Sequence, residues 1–201
     1  SPINATATDG GNFFDSEHVR DVEAGVKNRG EVFGRPASLN VAVYDQWIDD
    51  VQRVEFPDPD GPGGLASIAV TANVPEAEVR GIELDGSLMA TSWLELGGQI
   101  SYTDAEFTDG NINLFGNPYS YGPFGDTPEQ SGVVYAQVYF PTSDDIGEVT
   151  ARAEVYAQTE QYFSNAADSI ALDTRLPGYT LVSGRVQWAE IMGSHVTAAL
   201  F

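Results

Sequence analysis

The chain has 201 residues and a formal net charge of −21, from 30 acidic and 9 basic side chains. That balance argues against nucleic acid or an anionic membrane surface as partner, since either needs clustered Lys and Arg. At 42% hydrophobic residues it is too apolar for an acidic disordered tail. No run reaches the roughly 18 apolar residues of a transmembrane helix, and the absence of cysteine excludes disulfides, zinc–thiolate centres and Cys nucleophiles.

Taken in order, the sequence predicts about eight strands. Ser1 opens the chain with no signal peptide in view, which predicts a processed or cut N-terminus. The first strand covers Val19–Asn28, with Val22, Ala24 and Val26 opposite Glu23, Gly25 and Lys27. After a Gly/Arg/Pro turn, the second runs Ser38–Val54 through alternating Leu39, Val41 and Val43. Phe56–Gly64 (FPDPDGPGG) then breaks any ladder.

The third strand, Ser67–Ala90, places Ile82, Leu84, Leu88 and Ala90 on one face and Glu83, Asp85 and Ser87 on the other. A tight turn at Ser92–Trp93 leads to the fourth, Leu94–Phe107, where Leu94, Leu96, Ile100 and Tyr102 oppose Glu95, Gln99, Ser101 and Thr103. Period-two alternation means one wet face and one apolar face. A loop over Thr108–Gln130 leads to the fifth strand, Gly132–Phe140, and a turn through Pro141–Gly147 to the sixth. There Val149, Ala151, Ala153, Val155 and Ala157 alternate with Thr150, Arg152, Glu154, Tyr156 and Gln158. Loop Ser164–Pro177, strand Tyr179–Trp188, turn Glu190–Ser194 and strand His195–Phe201 complete the series.

Connections therefore alternate long and short, as in an up-and-down membrane β-barrel with short periplasmic turns and long outer loops. The second and third strands exceed the 9–11 residues or so of a membrane crossing, so part of each projects past the bilayer or is bulged. Aromatics near strand ends suggest two interfacial girdles. Trp47, Phe107, Tyr162 and Phe163 lie on the long-loop side, and Trp93, Tyr139, Phe140 and Trp188 on the short-turn side.

These residues carry a resemblance. Glu23-Ala-Gly25-Val-Lys27, Asn73 with Glu78-Val-Arg-Gly81-Ile-Glu83-Leu, Tyr102-Thr-Asp-Ala105-Glu-Phe107 and Leu176-Pro-Gly178-Tyr179-Thr stand in the order found in TonB-dependent outer-membrane receptors. The chain resembles the C-terminal part of that family's barrel from about Glu17 to Phe201. Val74-Pro75 departs from the family's usual Ala-Gly. The resemblance implies an all-β antiparallel fold, about eight strands of a barrel of about 22. Over 1–201 it implies a piece lacking the plug domain and the final strand, unable to transport alone because both sheet edges are open.

By resemblance the function is import of a scarce ligand, such as a ferric siderophore or other metal chelate, driven by TonB from a Gram-negative outer membrane. The implied partners are outer-membrane lipid, the protein's own plug, TonB and the small ligand; no cofactor is implied. The inward polar set (Glu23, Lys27, Glu83, Asp85, Glu95, Gln99, Arg152, Glu154 and Arg185) would face the plug. Tyr119, Tyr121 and Phe124 of the long loop are the candidates to stack on a ligand, solvated or disordered loop aromatics being the plainer reading of them.

Other chemistry is weakly signalled. Asp58-Pro-Asp60-Gly61 and Asp109-Gly-Asn111-Ile-Asn113 hint at calcium loops. In the second, Leu114 and Ser120 occupy the positions of the required Gly and bidentate Glu, so turn chemistry explains both better. His18 and His195 lack ligand-spaced neighbours and predict no metal site. No nucleophile elbow, P-loop or dinucleotide fingerprint occurs, so no enzyme or catalytic residue is expected. Two alternatives stay open: a complete small eight-stranded outer-membrane barrel with an adhesive or structural role, and a secreted acidic β-sandwich binding carbohydrate or calcium.

Overall fold

The computed structural model describes residues 14–55, 70–114, 117–122, 124–143, 145–163 and 175–201. Loop Phe56–Gly64, the first residues of the expected third strand and most of loop Ser164–Pro177 lie outside them. The strands are β1 (His18–Val32), β2 (Arg35–Glu55), β3 (Val70–Met89), β4 (Leu94–Asp109), β5 (Asn111–Leu114), β6 (Asn117–Ser120), β7 (Gln130–Phe140), β8 (Glu148–Gln158), β9 (Gln161–Tyr162), β10 (Arg175–Leu176), β11 (Tyr179–Ala189) and β12 (Ala198–Leu200). Eight of them form one sheet in the order β1-β2-β3-β4-β7-β8-β11-β12, each neighbour antiparallel. Among the described residues β1 and β12 stand at opposite edges. A closed eight-stranded barrel would pair them, and a sandwich would divide the long strands between two sheets.

Register turns the alternation of single strands into two continuous surfaces. One row runs Val26–Val41–Leu84–Ile100–Gly132–Ala157 and the next Leu39–Gly86–Gly98–Val134–Val155–Val182. Their large side chains stand out from the sheet, with Val26 67%, Ile100 55%, Val134 54% and Val182 77% exposed. A soluble monomer rarely leaves so wide an apolar face in water; lipid is the solvent that suits it. On β7 the face runs from Gly132 to Phe140, about 27 Å along the strand at ~3.4 Å per residue. Tilted by ~40°, that gives about 21 Å of height, close to the ~25 Å apolar band of outer-membrane barrels.

The band ends toward the long loops at the row Ala24–Val43–Ile82–Tyr102. The next row on that face is Asp45–Arg80–Asp104, where Arg80 bonds Asp104 at 2.8 and 3.1 Å and sits 3.6 Å from Glu78. Charge there marks the strands' passage out of an apolar layer.

β1 and β2 run longer than expected at both ends and β4, β7, β8 and β11 at one, while β3 ends one residue sooner, at Met89, and the last strand is shorter. The turn after β11 holds a 3₁₀ turn at Ile191–Gly193, and Ile191 N–H bonds the Val196 carbonyl. His195 therefore belongs to the turn, and pairing begins only at Ala198.

Candidate functional site

The polar face is assembled from short side chains, glycines and tyrosines that reach across strands. Tyr44 on β2 lies over Gly81 on β3, its register partner, and shares a 3.0 Å hydrogen bond with Thr103 on β4. A Cβ on Gly81 would fall 2.6 Å from the Tyr44 hydroxyl oxygen, so the position has room for hydrogen alone. Tyr135 on β7 covers Gly97 on β4 in the same way. Its hydroxyl donates to Glu95 at 2.8 Å, and Tyr139 donates to the other oxygen of that carboxylate at 2.7 Å. Arg152 lies over the Tyr135 ring, 3.6 Å from its centroid, and donates to Glu154 at 3.1 Å. Ser183 donates to Glu154 from β11. Asn40 donates to both oxygens of Asp85 at 3.0 Å.

All nine residues of the expected inward set fall on this face, because each register row carries them to the same side. A shallow groove over its middle is lined by Ser38, Asp85, Ser87, Gln99, Tyr135 and Arg152. The sequence did not announce the Glu95–Tyr135–Tyr139 clamp or the Tyr–Gly cradles. Their partners sit 37 to 44 residues apart, a distance only register can close.

At the long-loop end the wall gains a small core of its own: Ile48, Val51, Val74, Ala77 and Tyr121, with Val79, Phe107, Ile112 and Phe124 packed against it. Hairpin β5–β6 folds back beside β3, and Tyr121 N–H bonds the Gly110 carbonyl at 2.9 Å. Phe107 stacks on Tyr121 and Phe124 with centroids 5.2 and 5.1 Å away. Arg53 lies over the Phe107 and Phe124 rings at 5.7 and 5.3 Å. Burial lowers the Arg53 pKa, countered by the charge of Glu17 and by Tyr121. Of the three ligand candidates, Tyr121 is 6% exposed and Phe124 half-buried; the Tyr119 side chain lies outside what is described. Phe107 faces this core, so it is not part of an outward girdle. Tyr139 turns to Glu95 on the polar face, while Tyr102, Trp47, Phe140 and Trp188 are on the apolar one.

Pro75 has no N–H for the ladder, and opposite it Asp50 takes a left-handed φ of 58°. The Asn73 amide bonds the Asp50 carbonyl at 2.7 Å and the Asp15 carbonyl at 3.0 Å, so the departure at Val74-Pro75 is absorbed locally. Asp109 and Asn111 bond each other at 3.4 Å and within the turn. His18 starts β1 and His195 lies in a turn at the other end of the sheet.

Residues 2–200 match the family described as TonB dependent receptor-like, beta-barrel. The chain belongs to that family. Its two-faced, up-and-down sheet is a stretch of receptor barrel wall, with the polar face inward. Among curated proteins nothing matches the chain. Solved structures show the same fold at low identity. The ferric preacinetobactin receptor of Acinetobacter baumannii matches at 16% identity and a TM-score of 0.60, over 99% of this chain and 26% of that one. The ferric yersiniabactin uptake receptor of Yersinia pestis matches at 15% and 0.56, over 85% and 22%. An iron transporter of Neisseria meningitidis matches at 13% and 0.55, over 87% and 24%. The chain thus spans about a quarter of the length of these barrel proteins. Within the receptor wall, the Gly81 of the family-like segment is explained by the Tyr44 ring, and Asn73 by the Asp50 carbonyl.

Proposed function

We propose that this chain forms part of the barrel of a Gram-negative outer-membrane receptor that imports a scarce ligand, such as a ferric siderophore, with energy delivered by TonB. In this reading residues 1–201 are a C-terminal portion of the barrel, and the plug and final strand lie outside them. The two-faced wall carries the proposal: an apolar outer face close in height to the lipid-facing band of outer-membrane barrels, and a polar inner face. It is supported by membership of the receptor family and by a sheet in which, among the described residues, β1 and β12 do not pair with each other.

The inner face suits a removable plug. Its carboxylates Glu95, Glu154 and Asp85 are already bonded within the wall, so a plug can shed contacts to water at little cost. The ligand would meet the long-loop end, where Tyr119, Tyr121 and Phe124 belong to a loop that Phe107 and Arg53 fix against the wall. The protein is a transporter, not an enzyme, in this account.

The test uses the complete receptor gene in its host under iron limitation. Expected are its recovery in the outer-membrane fraction and uptake of radioiron-loaded siderophores that stops when TonB is deleted. Recovery in the soluble fraction, or uptake indifferent to TonB, overturns the reading.

A further inference from the structure

Where β2, β3 and β4 leave the apolar band, the two faces of the wall exchange character. Within the band the outer rows are apolar and the inner rows polar, as at Tyr44–Gly81–Thr103. Past it the outer rows read Asp45–Arg80–Asp104 and Trp47–Glu78–Glu106, with Asp49–Glu76 beyond. On the inner face Val79 stands opposite Gln46 and Ala105, and Ile48 opposite Ala77. The ladder skips Asp50 and Pro75, and past that break Val51 and Val74 join Ile48 and Ala77 in one cluster. These are the most deeply buried apolar side chains among the described residues, with Val74 0%, Val51 1% and Ala77 3% exposed.

A single sheet cannot bury its own face; a second layer has to cover it. Here the cover is hairpin β5–β6 and the residues that follow it: Tyr121 is part of the cluster, and Ile112 and Phe124 pack against it. Because the covered face is the inner one, the hairpin lies inside the mouth. Packed at the usual spacing of two layers, it stands about 10 Å in from the wall. A closed wall of about 22 strands, spaced ~4.8 Å apart and tilted ~40°, is about 44 Å across, so the hairpin takes a sizeable part of the entrance. Both its roots are held. Tyr121 N–H bonds the Gly110 carbonyl at 2.9 Å, and Asp126 N–H bonds the Tyr162 carbonyl at 2.6 Å. Elements that move are drawn from parts with few buried apolar contacts, whereas this one covers the core cluster. Swinging it out would return Val51, Val74 and Tyr121 to water and uncover the Arg53 guanidinium, which lies over the Phe107 and Phe124 rings.

We infer that hairpin β5–β6 is a fixed sill on the lumen side of the mouth. It narrows the entrance beside β2–β4 and stays docked while ligand passes. It therefore sets the width of what can enter and does not close as a lid over what has entered. This inference rests on the receptor reading above and adds a size-selecting element to it.

The experiment uses the full-length receptor, otherwise free of cysteine, in intact cells under iron limitation, with and without TonB. Single cysteines are placed at Val74→Cys under the sill, at Gln46→Cys on the inner face nearer the membrane, and at Val54→Cys, where the side chain is 57% exposed. A membrane-impermeant maleimide is the probe, and a bulky polyethylene-glycol maleimide tests width. Val74→Cys should react at least ~10-fold more slowly than Val54→Cys, with TonB or without it. Replacing residues 111–120 by Gly-Gly should bring Val74→Cys close to the Val54→Cys rate and speed reaction of Gln46→Cys with the bulky maleimide. If the shortened chain does not reach the outer membrane, Phe107→Ala serves as the uncovering variant. Val74→Cys labelling that rises with TonB and falls without it shows a hairpin that swings, and overturns the sill. Val74→Cys as fast as Val54→Cys in every cell shows an undocked hairpin and overturns it too. Val74→Cys still protected after uncovering has another cover, and Gln46→Cys indifferent to shortening means no narrowing; each overturns the inference and leaves the receptor reading standing. A receptor absent from the outer-membrane fraction fails that reading itself.

Discussion

Gly97→Ala should weaken the barrel through one ring. A Cβ at Gly97 would lie 2.5 Å from the Tyr135 Cζ and hydroxyl oxygen and 2.8 Å from Cε1. The ring must therefore retreat by about 1 Å to restore ordinary contact. Retreat would be easy for a free side chain, but Tyr135 is held at both sides. Its hydroxyl donates to the Glu95 carboxylate at 2.8 Å, and Arg152 covers its face at 3.6 Å. A hydrogen bond to a charged group contributes about 1.5–3 kcal/mol and a partly exposed cation–π contact about 0.5–1 kcal/mol. Both sites are half-exposed, so water replaces part of each, and the net loss should be roughly 2 kcal/mol. The full-length receptor folded in lipid reports this as a lower urea midpoint. On a Tyr135→Ala background the clash is gone and only the strand propensity remains. There Gly97→Ala should be neutral or stabilising by up to about 1 kcal/mol. The coupling is the quantity that decides: equal costs in both backgrounds would refute the cradle.

Further expectations follow from the same geometry. Val134→Arg, in the middle row of the outer face, should destabilise the membrane-folded receptor by about 2–4 kcal/mol, the midplane cost for a cation. Val133→Arg, one residue away on the inner face, should cost less than half as much by the same urea titration. Gly147 has φ 98°, and a Cβ there would meet the Ala189 and Glu190 carbonyls, so Gly147→Ala should cost about 1–3 kcal/mol and lower the folded yield seen by gel mobility of unheated samples. Phe107→Ala removes the ring that joins Tyr121 and Phe124. It should leave the urea midpoint of the barrel near wild type while exposing the 110–128 loop to limited proteolysis and weakening ligand uptake.

What the sequence made legible was the part with a period. Alternation at Ile82–Leu88 and Val149–Ala157 set the strands and their faces, and the faces carried the whole inward set to one side. Long-range register was not legible. Nothing local says that Gly97 faces Tyr135 or that Gly81 lies beneath Tyr44, because those pairs depend on where the 110–129 and 56–69 connections close. Phe107 illustrates the same limit. By position it reads as a girdle residue, yet the long loop brings Tyr121 and Phe124 to it and makes it core. Val74-Pro75 looked disruptive for want of an N–H, and Asn73 supplies the missing donor from its side chain. The eighth strand began late because turn 190–197 bonds itself through Ile191 and Val196, which no propensity of His195 or Val196 reveals.

The two-faced wall is tested most directly by spin labels placed one at a time at positions 131–139 of the full-length receptor, otherwise free of cysteine, in lipid bilayers. The account predicts oxygen accessibility highest at 132, 134, 136 and 138 and nickel-chelate accessibility low at those same positions, repeating every two residues along β7. Accessibility without that period, or with the nickel chelate favouring Val134, would contradict it.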